Sequence, residues 1–89
     1  MVRDELRTAS NELREAAEAA SGEAKDRIYE QSNQLATLAT RDQDPDHGRL
    51  DRHMHALAEL MDETDGEIHD HIETAREAVR SYREGVPGV

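Results

Sequence analysis

The sequence of 89 residues contains no cysteine, tryptophan or phenylalanine. Without cysteine the chain has no disulfide framework, no thiolate metal site and no cysteine nucleophile. No apolar run approaches the roughly 20 residues that a membrane-spanning helix needs, and no signal-peptide pattern opens the chain. We therefore expect a cytoplasmic protein that makes no membrane contact.

Positive charge is also scarce, because the chain has only 11 basic residues beside 21 acidic ones, which gives a formal net charge of −10. A nucleic-acid binder neutralises phosphates with lysine and arginine, so this balance argues against nucleic acid as a partner. Lys25 is the only lysine. Repulsion among carboxylates is screened in concentrated salt, where the Debye length falls to about 3 Å at 1 M. Acidity combined with lysine depletion favours a salt-rich cytoplasm, and the alternative is an ordinary acidic protein.

Apolar residues recur at three- and four-residue spacings in four segments, and no run alternates apolar and polar residues as a strand would. The pattern predicts an all-α fold, an antiparallel bundle of three to four helices built from hairpins. We expect one domain over residues 1–85 and a disordered tail over 86–89. The predicted helices span about residues 3–20, 23–40, 46–62 and 66–83.

The junction between the first two segments has two interpretations. Ser21-Gly22 is typical of one helix ending and the next beginning. The apolar phase nearly continues through it, however, so residues 3–40 form either two helices or one long helix that contains a glycine at a cost of about 1 kcal/mol.

The starts of the last two helices have recognisable capping residues. Asp44 followed by Pro45 is typical of an N-cap with proline at the first helical position, and Asp46 is the alternative cap. Thr64 and Glu67 match a capping box at the start of the fourth helix.

Large apolar side chains are few for a chain of this length, and small scaffolds of this kind often oligomerise. We therefore expect a C2 homodimer of helical hairpins, and a compact monomeric four-helix bundle is the alternative. The candidate interface residues form the apolar stripes of the third and fourth helices: Leu50, Met54, Leu57, Met61, Ile68, Ile72 and Val79.

Three further residues each have two interpretations. Gln31 lies in line with the apolar stripe of the second helix, so its amide is either a polar interface group that fixes helix register or an exposed side chain. Tyr29 and Tyr82 are either anchors of a partner interface or half-buried packing residues.

No catalytic pattern is present. The serines have no nucleophile-elbow setting, and there is no glycine-rich phosphate loop. Carboxylate pairs are numerous, but among 21 acidic residues they arise by chance. A di-metal carboxylate bundle would need Glu-x-x-His motifs, which the chain lacks. We therefore expect neither an enzyme nor a bound cofactor.

Histidine is the one metal-ligating residue type in excess, and imidazole binds zinc, copper and nickel well. The five are His47, His53, His55, His69 and His71. Helical residues two apart point about 200° apart, so neither His-x-His pair chelates an ion alone. The remaining metal site would join His53 and His71 across two helices, completed by Glu67 or Asp70. The alternative is that the histidines pair with carboxylates on the helix surfaces.

Three stretches carry a family resemblance. Residues 28–39 read IYEQSNQLATLA, residues 46–50 read DHGRL and residues 82–84 read YRE. Together they resemble a group of small acidic haloarchaeal proteins of unknown function. The resemblance implies an archaeal, salt-rich cytoplasm and an all-helical fold, and it carries over no active-site residue.

These observations predict a non-enzymatic helical interaction or structural protein that acts as a homodimer, with an unidentified protein partner as a further possibility. The alternative is a small metal- or ligand-binding bundle that uses the region of His53 and His71.

Overall fold

The structure is a computed structural model that describes residues 4–41 and 45–85. Within these ranges the only regular structure is α-helix. The four helices are α1 (Asp4–Ala19), α2 (Gly22–Thr40), α3 (His47–Asp62) and α4 (Gly66–Gly85). The predicted all-α bundle is confirmed, while the predicted tail at 86–89 lies outside the described residues.

The chain turns between α1 and α2, so the two-helix interpretation of this region is correct. Gly22 has a φ of +65°, a left-handed conformation that glycine adopts without the steric cost of a Cβ atom. Ser21 is the N-cap in extended conformation, and its side chain makes no capping hydrogen bond. The backbone therefore reverses at Gly22 although the apolar phase continues past it.

Helix α3 begins with an aspartate cap. The Asp46 side chain accepts a hydrogen bond of 2.8 Å from the backbone N–H of Arg49. Asp46 is thus the N-cap, and the other candidate, Asp44, lies outside the described residues.

Helix α4 begins differently from the prediction. The Thr64 hydroxyl donates a hydrogen bond of 2.8 Å to the carbonyl of Leu60, so it caps the end of α3. Helix α4 starts at Gly66, which has a φ of +60°. The predicted capping box of Thr64 and Glu67 is therefore wrong.

Helix α1 lies at the centre of the packing, with α2 on one side and α4 on the other. Helix α3 packs along α4 and barely touches α2. A buried hydrogen bond of 2.8 Å from the Ser10 hydroxyl to the Ser32 carbonyl joins α1 to α2. Small side chains on α1, such as Ala9 and Ala16, are fully buried and permit close approach of its neighbours.

The predicted interface residues form the core of a single chain. Four of them are fully buried: Leu50, Leu57, Ile72 and Val79. The other three pack, partly buried, against the same core: Met54, Met61 and Ile68. In this fold the four buried residues are not available to a partner. The homodimer itself stays a prediction.

The two tyrosines have different environments. Tyr82 belongs to the core, at 6 % exposed. Tyr29 is 42 % exposed and is the one large hydrophobic side chain exposed among residues 4–41 and 45–85. Of the two residues, Tyr29 alone is placed where it could anchor a partner.

Candidate functional site

A cleft runs between α2 and α3 because these two helices barely touch. Its larger cavity has a volume of about 240 Å³ and is lined by Gln31, Gln34, Arg49, Arg52 and His53. A second cavity of about 180 Å³ shares three of these residues and continues toward the end of α2. Its lining adds Thr37, Leu38 and Arg41.

Helical spacing explains this grouping. Gln31, Gln34, Leu38 and Arg41 recur at intervals of three and four residues and therefore share one face of α2. On α3, the residues Arg49, Arg52 and His53 share one face for the same reason. The two faces meet across the cleft, where side chains of α2 and α3 line the same cavity.

His53 and Gln31 connect the two walls. The side chain of His53 is almost fully buried, and its Nδ1 lies 2.7 Å from the amide oxygen of Gln31. A carbonyl oxygen only accepts, so Nδ1 carries the proton in this contact. Burial lowers the pKa of His53, and the charges of Arg49 and Arg52 lower it further. The imidazole is therefore neutral at pH 7. Because the amide of Gln31 contacts His53 on another helix, its position agrees with the interpretation of Gln31 as a polar group between helices.

The charge of the cleft is opposite to that of the protein. Together the linings of the two cavities contain Arg41, Arg49 and Arg52 and, among residues 4–41 and 45–85, no aspartate or glutamate. Among the described residues these three guanidinium groups have no ion-pair partner. By contrast, Arg27 lies 2.6 Å from Glu63. Guanidinium presents a planar set of donors that matches carboxylate and phosphate, so the cleft is equipped to hold an anion.

The three cleft arginines were not recognised as a site from the sequence. The available signal was the i, i+3 spacing of Arg49 and Arg52, together with the same spacing of Gln31 and Gln34. Neither pattern shows that the two faces oppose each other or that the arginines lack carboxylate partners.

The other predicted histidine lies at a different helix interface. Nδ1 of His71 is 2.8 Å from Oε1 of Glu12 on α1, and its Nε2 is 3.9 Å from Oε2 of Glu67. The hydrogen bond with Glu12 raises the pKa of His71, opposed by a smaller effect of burial, and the charges of nearby glutamates raise it further. His53 faces α2 whereas His71 faces α1, so the predicted His53/His71 pair does not form one site.

Within the described part of the chain, two groups of side chains have the proximity that a metal ion requires. One contains Glu12, Glu15 and His71, and the other contains His69, Asp70 and Glu73. His53 belongs to neither group. His55 is a surface histidine, 3.4 Å from Glu59 one turn later, in agreement with the carboxylate-paired interpretation.

The chain belongs to a family of unknown function (DUF7553), whose sequence model matches residues 1–85. Searches of curated proteins and of solved structures find no match. Among the described helices, none combines the length and apolar character that crossing a membrane requires. The resemblance to proteins of unknown function is thus confirmed at the level of this family, which assigns a role to no residue.

Proposed function

We propose that this protein is a non-enzymatic helical binding protein whose cleft between α2 and α3 holds a small anion bearing phosphate or carboxylate groups. The observation that supports this most strongly is the lining itself. The two cavities of the cleft together contain Arg41, Arg49 and Arg52 and no acidic side chain from the described part of the chain, although the sequence has almost two acidic residues for each basic one.

The size of the cleft supports a small ligand. Pockets for drug-sized molecules and cofactors have volumes of roughly 300–1,000 Å³, whereas the larger cavity here is about 240 Å³. A phosphate group or a compact polycarboxylate fits this volume, and a dinucleotide does not. The amides of Gln31 and Gln34 would add neutral hydrogen bonds to the charged ones from the arginines.

The net charge of −10 repels anions at long range, but salt limits that repulsion to short distances. The Debye length is about 8 Å at physiological ionic strength and about 3 Å at 1 M. Contacts inside the cleft then determine binding. The acidity and the single lysine support a salt-rich cytoplasm as the setting in which this protein works, and the resemblance to small acidic haloarchaeal proteins implies that this cytoplasm is archaeal.

The test is calorimetric titration of the full chain with inorganic phosphate and, separately, with citrate at constant ionic strength. The cleft variant is Arg49→Gln/Arg52→Gln, and the matched control is Arg7→Gln/Arg14→Gln. Both variants remove two positive charges from exposed helix positions. We expect at least one of the two anions to bind the wild type and the control with equal affinity. Its affinity for the cleft variant should be at least tenfold lower. No binding to wild type, or equal binding to both variants, would refute the proposal.

We also propose that the protein self-associates as a homodimer. The exposure of Tyr29 on α2 supports this, because tyrosine is enriched at protein interfaces. Sedimentation in 2 M KCl should give a dimer for wild type and a monomer for Tyr29→Ser. A wild-type monomer at all accessible concentrations would contradict it.

A further inference from the structure

We infer that Glu12, Glu15 and His71 form a binding site for a divalent transition-metal ion, with zinc as the best match, between α1 and α4. This site lies apart from the α2–α3 cleft and does not depend on its function. One ligand atom from each of the three side chains lies within 4.8 Å of the other two.

The ligands come from two helices that the core holds together. Glu12 and Glu15 are three residues apart on α1 and therefore project from neighbouring positions on one face. His71 reaches them from α4, which packs along the length of α1. The side chains of His71 and Glu12 are only 26 % and 27 % exposed, so both are already partly desolvated and confined.

The local charge favours a cation. Glu12, Glu15 and Glu67 surround a single imidazole, and none of the three has an arginine or lysine partner among the described residues. Even with His71 protonated, these four groups keep an excess of negative charge. A divalent ion would neutralise that excess and displace the proton from Nδ1 of His71.

The donor set matches the chemistry of zinc. Zinc takes histidine nitrogen and carboxylate oxygen at about 2.0–2.2 Å, which places neighbouring ligand atoms of a tetrahedral site about 3.4 Å apart. The three ligand atoms lie at most 4.8 Å apart, so the widest separation exceeds the tetrahedral value by no more than about 1.4 Å, which is within reach of a rotamer adjustment. With Nδ1 on the metal, the Nε2 proton of His71 points toward Glu67, whose Oε2 lies 3.9 Å away. Such a carboxylate partner orients a metal-bound histidine.

The second group of potential ligands is the natural control. His69, Asp70 and Glu73 lie within five residues of one helix, and two of the three are exposed. Nδ1 of His69 is engaged with the carbonyl of Met61 at 3.1 Å. All three ligands of this group come from α4.

The experiment is a titration of the metal-free full chain with Zn²⁺ in a phosphate-free buffer containing 0.5 M KCl, followed by calorimetry. His71→Gln and Glu12→Gln test the site, and His69→Gln is the control, with circular dichroism to verify that each variant is folded. We expect the wild-type chain to bind one Zn²⁺. Its affinity for Zn²⁺ should fall at least tenfold in either site variant and should change less than twofold in the control. A parallel Mg²⁺ titration should show far weaker binding.

Three results would overturn the inference: no Zn²⁺ binding by the wild-type chain, an equal loss in His69→Gln, or Mg²⁺ binding as tight as Zn²⁺. The last would mean that the acidic surface merely attracts cations. If the site variants do not fold, histidine chemical shifts of the wild-type protein decide the question, because Zn²⁺ should move the signals of His71 before those of His69. The reverse order would also overturn the inference.

Discussion

Replacing Gly22 with alanine should destabilise the protein, because the turn between α1 and α2 depends on the left-handed backbone at this position. Gly22 has a φ of +65°, and a Cβ added there would meet no atom within 4 Å. The cost is therefore backbone strain alone, about 1–2 kcal/mol for an L-residue in this region. Alanine also restricts the unfolded chain, which offsets part of that cost. We expect a net loss of about 1 kcal/mol in the free energy of unfolding.

The assay is thermal and urea denaturation of Gly22→Ala and wild type at one fixed KCl concentration. For a domain of this size, 1 kcal/mol corresponds to a decrease in Tm of about 4–8 °C. The urea m-value should not change, because the folded state buries the same surface.

Gly48→Ala is the matched control. Gly48 lies inside α3 without a left-handed φ, and its added Cβ would meet Oδ1 of Asp46 at 3.5 Å, an ordinary contact. Alanine favours helix over glycine by up to about 1 kcal/mol, so this variant should be as stable as wild type or more stable. If Gly22→Ala were also stabilising, α1 and α2 would form one continuous helix and the hairpin described above would be refuted.

Three other perturbations have expected outcomes. Ser10→Ala removes the buried hydrogen bond to Ser32 and should lower the free energy of unfolding by about 1 kcal/mol. The control Ser81→Ala, at an exposed position, should lower it by less than about 0.5 kcal/mol in the same denaturation assay. Equal losses would contradict the packing of α1 on α2. The pKa of His53 is lowered in the folded state, so the unfolded state binds the proton more readily and the contribution of His53 to stability should fall as pH drops below about 6.5, whereas the raised pKa of His71 contributes in the opposite direction. The change in Tm from pH 7.5 to 5.5 should therefore be less unfavourable in His53→Gln than in wild type, and an NMR titration that places the pKa of His53 above its usual value would contradict the reasoning. The net charge of −10 predicts that Tm rises with KCl concentration as repulsion is screened, and a Tm independent of salt would argue against a salt-rich origin.

The helices were predictable from the sequence because their signals are local. The spacing of apolar residues places α3 and α4 within two residues of their observed ends, and Asp46 was among the anticipated caps. The capping box at Thr64 failed because a threonine hydroxyl has a second local partner, the carbonyl four residues earlier. At Gly22 the spacing of apolar residues fits both one continuous helix and two separate helices. The choice depends on packing between α1 and α2, including the bond between Ser10 and Ser32, which are 22 residues apart.

The sites were less predictable because they depend on contacts between distant helices. His71 meets Glu12, which is 59 positions away in the chain, and His53 meets Gln31 on another helix. Both histidines lie on the helices of one predicted hairpin, so the sequence leaves a site that joins them open, beside the alternative of histidines paired with surface carboxylates. Which helix each histidine faces depends on the rotation of α3 and α4 about their axes, and the core packing sets that rotation.

The most direct test of the anion-binding cleft is an NMR titration of the ¹⁵N-labelled protein with inorganic phosphate at constant ionic strength. We predict saturable shifts of the side-chain amide signals of Gln31 and Gln34 and of the Nε–H signal of Arg49, while the Nε–H signals of Arg7 and Arg14 on α1 remain unchanged. Shifts that are absent, or that are as large at Arg7 and Arg14 as in the cleft, would contradict the account.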